Sequence, residues 1–389
     1  MSVESKNPVR ILHVVGGMNL GGAETWLMHL LRHIDRKRFQ FDFLVHTTNP
    51  CTYDEEIRNF GSHIIPCLTP SKPWRYASNF ARALKTHGPY DIIHSHVHHY
   101  SGFVLQQAKR LGVPIRISHS HSDTSWRDLK AGVLRKGYLQ LMAYLIRRHA
   151  TVGLAASNKA ADALYGIRWK DDPRWRLLFC SIDLSPFVNG IDPSEVRAEL
   201  GMAEDAFVVG HVGRFVEPKN HGFLLDIAKC LVRKEPRAKL LFIGDGPLRS
   251  AMESKAARLG LTGHVIFAGL RADVPRLMRG AMNAFLFPSL YEGLPLALVE
   301  AQAAGCPCFF SDVIPVEADV VPPLINRFSL DQPAEVWADA LAPSNGPRII
   351  SQAEALKWVS QSPFNISNGL KMLCDVYSTG GIHPSQVNG

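Results

Sequence analysis

What the chain lacks bounds its class first. No stretch approaches 18 uncharged apolar residues, so no segment reads as a membrane-spanning helix. Met1 to Arg10 is polar and the apolar run Ile11–Val15 is too short for a signal core, so no secretory leader is expected. Cysteine is sparse: seven residues, an odd number, with no C-x-x-C pair. That argues against a disulfide framework and for a reduced, cytoplasmic setting. Cys306 and Cys308, flanking Pro307 in an apolar run, read as core residues. The chain also lacks a G-x-G-x-x-G loop followed by a ribose-binding acid, which disfavours a dinucleotide cofactor. It carries no recognised nucleic-acid module, no short repeat and no low-complexity tract.

What is present describes two globular domains. Hydrophobic residues make up 46% of the 389 and charged residues 20%, ample for two cores. Lys and Arg number 43 against 35 acids, a net +8 without histidine that suits a phosphorylated substrate or an anionic surface. Strand-like runs appear at Arg10–Val15, Phe41–Val45, His63–Cys67, Asp91–His94, Ile115–Ser118, Val152–Ala155 and Arg176–Phe179. Helical patterns such as Ala23–His33, Ser78–His87 and Gly102–Leu111 lie between them. Runs apolar on both faces and separated by helices indicate a parallel sheet covered on both sides.

The pattern then restarts with Phe207–Val212, Lys239–Ile243, Val265–Phe267, Ala284–Phe287 and Cys308–Phe310. Helices near Gly222–Lys234, Leu248–Leu259 and Pro295–Ala304 separate them. Two successive α/β units imply two doubly wound, Rossmann-like domains. Turn residues Asp183, Pro186, Asn189, Gly190 and Pro193 place the boundary near Ser181–Pro193, which gives domains of residues 1–185 and 186–363. A final helix near Ile366–Tyr377, within residues 364–378, is expected to pack back on the first domain.

In open parallel sheets ligands bind beyond the carboxyl ends of the strands, so residues just after each strand are where chemistry is sought. The most informative segment runs from Phe287 to Ala301. A strand ends at Phe287 and Pro295 opens a helix, at the position where proline is best tolerated. Gly305 closes that helix and Pro307 prevents its continuation. A helix start offers unpaired N–H groups and a partial positive charge to a phosphate. Glu292 precedes the helix and Glu300 lies within it, seven residues intervening. A carboxylate accepts two hydrogen bonds from a vicinal diol, so sugar hydroxyls give two acids beside a phosphate site a purpose. Glu300 sits among Ala297, Leu298, Val299 and Ala301, apolar company for a solvated charge.

The blocks Gly21-Gly22-Ala23-Glu24, His94-Ser95-His96, His119-Ser120-His121, Gly213-Arg214-Phe215 with Lys219-Asn220, and Gly244-Asp245-Gly246-Pro247 likewise follow strands. Together with the Glu-x7-Glu segment, and spanning roughly Arg10 to Ser311, they resemble glycosyltransferase family 4, retaining enzymes of the GT-B fold. That resemblance implies two Rossmann-like domains facing across a cleft, the first binding acceptor and the second a nucleotide sugar. It puts Arg214 and Lys219 on the donor diphosphate, where developing negative charge on the leaving group rewards fixed cations. It also implies Glu300 on the ribose, Glu292 at the sugar or its phosphate end, Gly293 and Leu294 against the donor, and Gly244 near the nucleotide. Gly21 and Gly22 would border donor and acceptor, and His121, or else His119, would line the sugar pocket. The resembling enzymes are metal-free catalysts that build bacterial polysaccharides or glycolipids, often on lipid-linked acceptors. No cofactor is therefore expected. A nucleotide-sugar epimerase of the same architecture and a non-catalytic scaffold are the competing classes; intact Arg214, Lys219, Glu292 and Glu300 speak against the scaffold.

Two features remain. Of 17 histidines, 13 precede residue 150, including His94, His96, His98, His99, His119 and His121. The His-x-His spacing suggests metal ligation, but no carboxylate completes a site, and no metal is expected. The basic amphipathic segment Arg127–His149 carries Arg127, Lys130, Arg135, Lys136, Arg147 and Arg148 among Leu134, Leu139, Leu141, Met142, Tyr144 and Leu145. It suits either peripheral contact with an anionic membrane or packing on its own sheet.

Overall fold

The structure is a computed structural model that describes residues 7–124, 131–342 and 350–380. It forms two compact units, one of residues through Ser181 joined by those from Ile366 onward, the other Ile182–Asn365. Arg127 and Lys130 of the basic segment lie outside the described residues.

The first unit is built on a seven-stranded sheet in the order β3-β2-β1-β4-β5-β6-β7. Its strands are β1 (Val9–Val15), β2 (Phe39–Val45), β3 (Ile64–Pro66), β4 (Ile92–Ser95), β5 (Ile115–Ser120), β6 (Val152–Ala155) and β7 (Trp175–Leu177). Every pairing is parallel. Strands such as β4 and β6 are buried at every residue because helices cover both faces, which explains their unbroken apolar runs. The helix Ile366–Thr379 belongs to this unit: Tyr377 packs against Phe39 and Phe41 with ring centroids 5.9 and 6.1 Å away.

The second unit has a six-stranded parallel sheet in the order β10-β9-β8-β11-β12-β13. These are β8 (Phe207–Val212), β9 (Ala238–Ile243), β10 (Val265–Phe267), β11 (Ala284–Phe287), β12 (Cys308–Ser311) and β13 (Ile325–Phe328). Fully buried Trp337 and Phe242 anchor its core. In each sheet the order reverses beside the first strand, where β1 lies between β2 and β4 and β8 between β9 and β11. Crevices at such reversals are where doubly wound sheets hold ligands.

Several element bounds differ from the sequence expectation. The helix expected from Ser78 begins at Pro73, with proline in its first turn. Pro295 is the residue before the helix Leu296–Ala303 and not its first. The seventh strand is Trp175–Leu177 where Arg176–Phe179 was expected. Edge strand β13 has no counterpart in the expected series, because Asn326 and Arg327 interrupt its apolar pattern. Cys306 and Cys308 are buried and in no disulfide. No helix among the described residues is long and apolar enough to cross a membrane.

The fully buried Tyr377 ring makes the terminal helix part of the first core. Tyr377→Ala is expected to lower stability by about 3–5 kcal/mol through the cavity it leaves. Denaturant unfolding of the full chain measures this; a loss under about 1 kcal/mol would mean that the helix is not integral to the core.

Candidate active site

In the second unit three loops converge beyond the carboxyl ends of the strands. The loop after β8 turns back at Asn220, whose φ of 54° is left-handed, a conformation asparagine tolerates better than most residues. It then enters the helix His221–Lys234. Asn220 Nδ2 donates to the Pro288 carbonyl at 3.2 Å, and the Leu290 amide donates to the Pro218 carbonyl at 2.8 Å, tying this loop to the one after β11. Between these bonds Lys219 Nζ donates to Glu292 Oε1 at 2.6 Å and lies 4.7 Å from the Phe287 ring centroid. Only 20% of the lysine side chain and 13% of the glutamate side chain remain exposed.

The loop after β9 is locked against the same place. Gly244 and Gly246 have φ of 140° and 158°, and a Cβ on Gly244 would stand 2.1 Å from the Gly213 carbonyl oxygen. A Cβ on Gly246 would meet the Phe215 backbone at 2.7 Å. Both positions therefore need glycine for backbone shape and for close approach. The Phe215 amide donates to the Asp245 carbonyl at 3.0 Å, and the Lys219 stem packs over Gly213. Arg214 thus leaves the chain between two pinned residues. Its side chain is exposed and has no partner among the described residues.

Glu300 lies on the helix Leu296–Ala303, half-buried and without a hydrogen-bond partner among the described residues. Burial pushes its carboxyl up to about 7. Gly293 is buried and Leu294 half-buried beside the Lys219–Glu292 pair's loop. Gln302 braces the helix, accepting from the Val320 and Val321 amides at 2.9 Å each. The structure therefore joins Lys219 directly to Glu292, brings Arg214 and Gly244 to the same strand ends, and leaves the Glu300 carboxylate without a protein partner among the described residues.

In the first unit Gly21 precedes the helix Gly22–His33. A Cβ on Gly21 would stand 2.3 Å from Glu24 Oε2, whereas one on Gly22 meets open space. The atom crowded at Gly21 is the tip of a flexible side chain that can swing away, so packing requires glycine at neither position. Glu24 sits in the first turn of that helix and already answers its positive end.

Five histidines gather on one face of β1, β4 and β5. His13 and His94 are register partners, and the alternation of side chains puts His96, His119 and His121 on the same face. His96 Nε2 lies 3.0 Å from His13 Nδ1, His96 Nδ1 lies 2.8 Å from His121 Nε2, and His94 Nε2 lies 3.1 Å from His119 Nδ1. His119 is fully buried and His121 half-buried. Burial lowers all five, His13 and His121 to about 3, so the rings are neutral near pH 7. His13 escaped the sequence reading because a lone histidine in an apolar strand gives no signal until the strand register is known.

Residues 21–175 match the family described as Glycosyl transferase 4-like domain, and residues 192–343 match Glycosyl transferases group 1. EpsF of Bacillus subtilis (strain 168), named as a glycosyltransferase, is 42% identical over 338 residues, covering 86% of this chain and 87% of its own. The UDP-Gal:alpha-D-GlcNAc-diphosphoundecaprenol alpha-1,3-galactosyltransferase of Escherichia coli is 24% identical over 316 residues, 78% of this chain and 80% of that one. Among solved structures, Anabaena HepE in complex with UDP and glucose shares the fold with a TM-score of 0.78 at 19% identity, over 95% of this chain and 100% of that one.

Glu300 gives a pH prediction. A carboxyl raised from 4.5 to about 7 binds its proton more tightly in the folded state, so its contribution is intact below pH 4.5 and lost as pH rises through 7. Glu300→Gln is expected to flatten that part of the profile and to stabilise the ligand-free protein at pH 8 by roughly 1–3 kcal/mol. Thermal melts of both proteins from pH 4 to pH 8 measure it; superimposable profiles would show that the carboxyl titrates normally.

Proposed function

The chain belongs to the glycosyl transferases, carrying their 4-like and group 1 domains in tandem, and we propose that it is a retaining enzyme that moves a hexose from a nucleoside diphosphate sugar to a polysaccharide or lipid-linked acceptor. The observation that carries this reading is the convergence of Arg214, the Lys219–Glu292 pair and Gly244 at the strand ends of the second unit. Arg214 and Lys219 hold the donor diphosphate. As the bond between sugar and phosphate breaks, charge accumulates on the leaving phosphate, and the two cations, Lys219 already fixed by Glu292, stabilise that state more than the ground state. Glu292 fixes the Lys219 ammonium and reaches the phosphate end of the sugar. Glu300, with acceptor capacity to spare, takes the ribose diol.

Gly293, Leu294 and the amides at the start of the helix Leu296–Ala303 lie along the donor. In the first unit, which takes the acceptor, His121 is the better candidate for the sugar pocket than fully buried His119, because it is the more exposed of the two. Gly21 and Gly22 shape the neighbouring loop. The UDP of HepE and the UDP-Gal in the name of the Escherichia coli relative support a uridine diphosphate sugar as the first donor to try. The lipid diphosphate in that same name supports a lipid-linked acceptor.

The helix Val133–His149 supports contact with an anionic membrane. Its buried stripe of Leu139, Met142, Leu145 and Ile146 faces the first unit, while Val133, Leu134, Leu141 and Tyr144 stay 86%, 92%, 53% and 55% exposed. Leu134, Leu141 and Tyr144 follow helical spacing, beside Arg135, Lys136, Arg147 and Arg148.

Arg214→Ala is expected to lower kcat/KM by about 10²–10³-fold and, being an exposed position, to change stability by less than about 0.5 kcal/mol. Incubation with nucleotide sugars and lipid-linked acceptors, with mass detection of products, reads the rate; near-normal turnover in the variant would remove the diphosphate assignment. Donor conversion without acceptor would indicate an epimerase instead. Flotation with vesicles should show binding to anionic but not neutral lipid, weakened by Leu134→Glu with Leu141→Glu. Absence of binding at low salt would end the membrane proposal.

A further inference from the structure

Outside the donor site, the histidine face of the first unit has an order that packing alone does not require. His96, His119 and His121 each offer one ring nitrogen, all within 4.8 Å of one another. One nitrogen of each ring is held from outside the group. His96 Nε2 meets His13 Nδ1 at 3.0 Å, His119 Nδ1 meets His94 Nε2 at 3.1 Å, and His121 Nδ1 meets Cys180 Sγ at 3.5 Å.

Without an ion, His96 Nδ1 and His121 Nε2 share a proton at 2.8 Å; with an ion between them, one set of neutral tautomers serves the three outer contacts. The outer nitrogens carry the protons and donate to His13, His94 and Cys180, while His94 Nδ1–H donates to the Tyr377 hydroxyl 2.8 Å away. That leaves lone pairs on His96 Nδ1, His121 Nε2 and His119 Nε2, and His119 Nε2 is buried with no hydrogen-bond partner. Outer donors of this kind orient imidazoles in metal sites and fix their tautomers. The Trp26 ring walls the group, its centroid 5.1 Å from that of His119 and 5.6 Å from that of His121.

We propose that His96, His119 and His121 bind one divalent transition-metal ion of the borderline class, typified by Zn²⁺, with a fourth position left for water or an anion. Three imidazoles are a sufficient protein ligand set for such an ion, so the missing carboxylate in the His-x-His pattern is no obstacle. The 2.8 Å between His96 Nδ1 and His121 Nε2 must open by a few tenths of an ångström, to about 3.3 Å for tetrahedral bonds of about 2.0–2.1 Å. A neighbouring triad, His13, His94 and His96, is the poorer set: both His94 nitrogens are engaged, by Tyr377 and by His119. Half-buried His96 and His121 also give the chosen triad a route from solvent. The proposal shares His121 with the proposed sugar pocket and is independent of Arg214, Lys219, Glu292 and Glu300.

The test uses the full chain stripped with chelator, titrated with Zn²⁺ against a chromophoric competitor and with Co²⁺ by visible absorption. One equivalent of each ion is expected to bind, Co²⁺ giving the intense bands of a four- or five-coordinate site, with Mg²⁺ failing to compete. His121→Ala and His119→Ala should each lower Zn²⁺ affinity by at least about 100-fold, while His33→Ala, an exposed position, leaves it unchanged. Thermal melts without metal identify variants that keep the fold, and half-buried His121 carries the test if His119→Ala unfolds. Sub-stoichiometric binding, or full affinity in a folded His121→Ala protein, overturns the proposal.

Discussion

The ion pair between Lys219 and Glu292, residues 73 apart in sequence, is the constraint on which the second unit's site depends. It joins the loop after β8 to the loop after β11, with a backbone bond and an asparagine bond on either side. Each partner is mostly withdrawn from water, so removing one would leave the other as an uncompensated charge, which costs several kcal/mol. The pair adds little net stability, because desolvation offsets most of its attraction. Its contribution is position: an ammonium on a long flexible stem is held over Phe287 before any ligand arrives. A cation already in place costs no reorganisation when charge develops beside it.

Position also governs the backbone around the pair. Gly244 and Gly246 let the loop after β9 touch the chain at Gly213 and Phe215, at separations that any side chain would forbid. Arg214 leaves the chain at that contact, so its origin is rigid while its guanidinium is free to reach outward. The two cations thus differ in kind. Lys219 is fixed and already neutralised by Glu292, whereas Arg214 is exposed and unpaired among the described residues, so the net positive charge offered to an anion is the arginine's.

Much of the fold was legible because both sheets are parallel and covered on two sides, which leaves the chain a repeated alternation of apolar runs and amphipathic stretches. Where the physics differs, the signal failed. Edge strand β13 carries Asn326 and Arg327 and has no apolar run to find. The site was legible as positions but not as contacts. The block Gly244-Asp245-Gly246-Pro247 was legible as following a strand; its contacts with Gly213 and Phe215, and the bond between Lys219 and Glu292, exist only through the placement of β9 and β11 beside β8. The histidine cluster shows the same limit, since His13 joins it solely through its register with His94.

The two acids of the Glu-x7-Glu segment look equivalent in sequence, and the structure separates them. Glu292 already accepts from an ammonium. The Glu300 carboxyl accepts from nothing among the described residues, and burial pushes it up to about 7. A fold that half-buries a carboxylate and gives it no protein donor loses some stability to desolvation of the charged form. A diol that donates two hydrogen bonds would reverse that cost, favouring the charged form just as the ligand arrives. On the proposed reading, therefore, Glu300 is the acid left to meet a ligand, and Glu292 the one that holds Lys219 where a phosphate would lie.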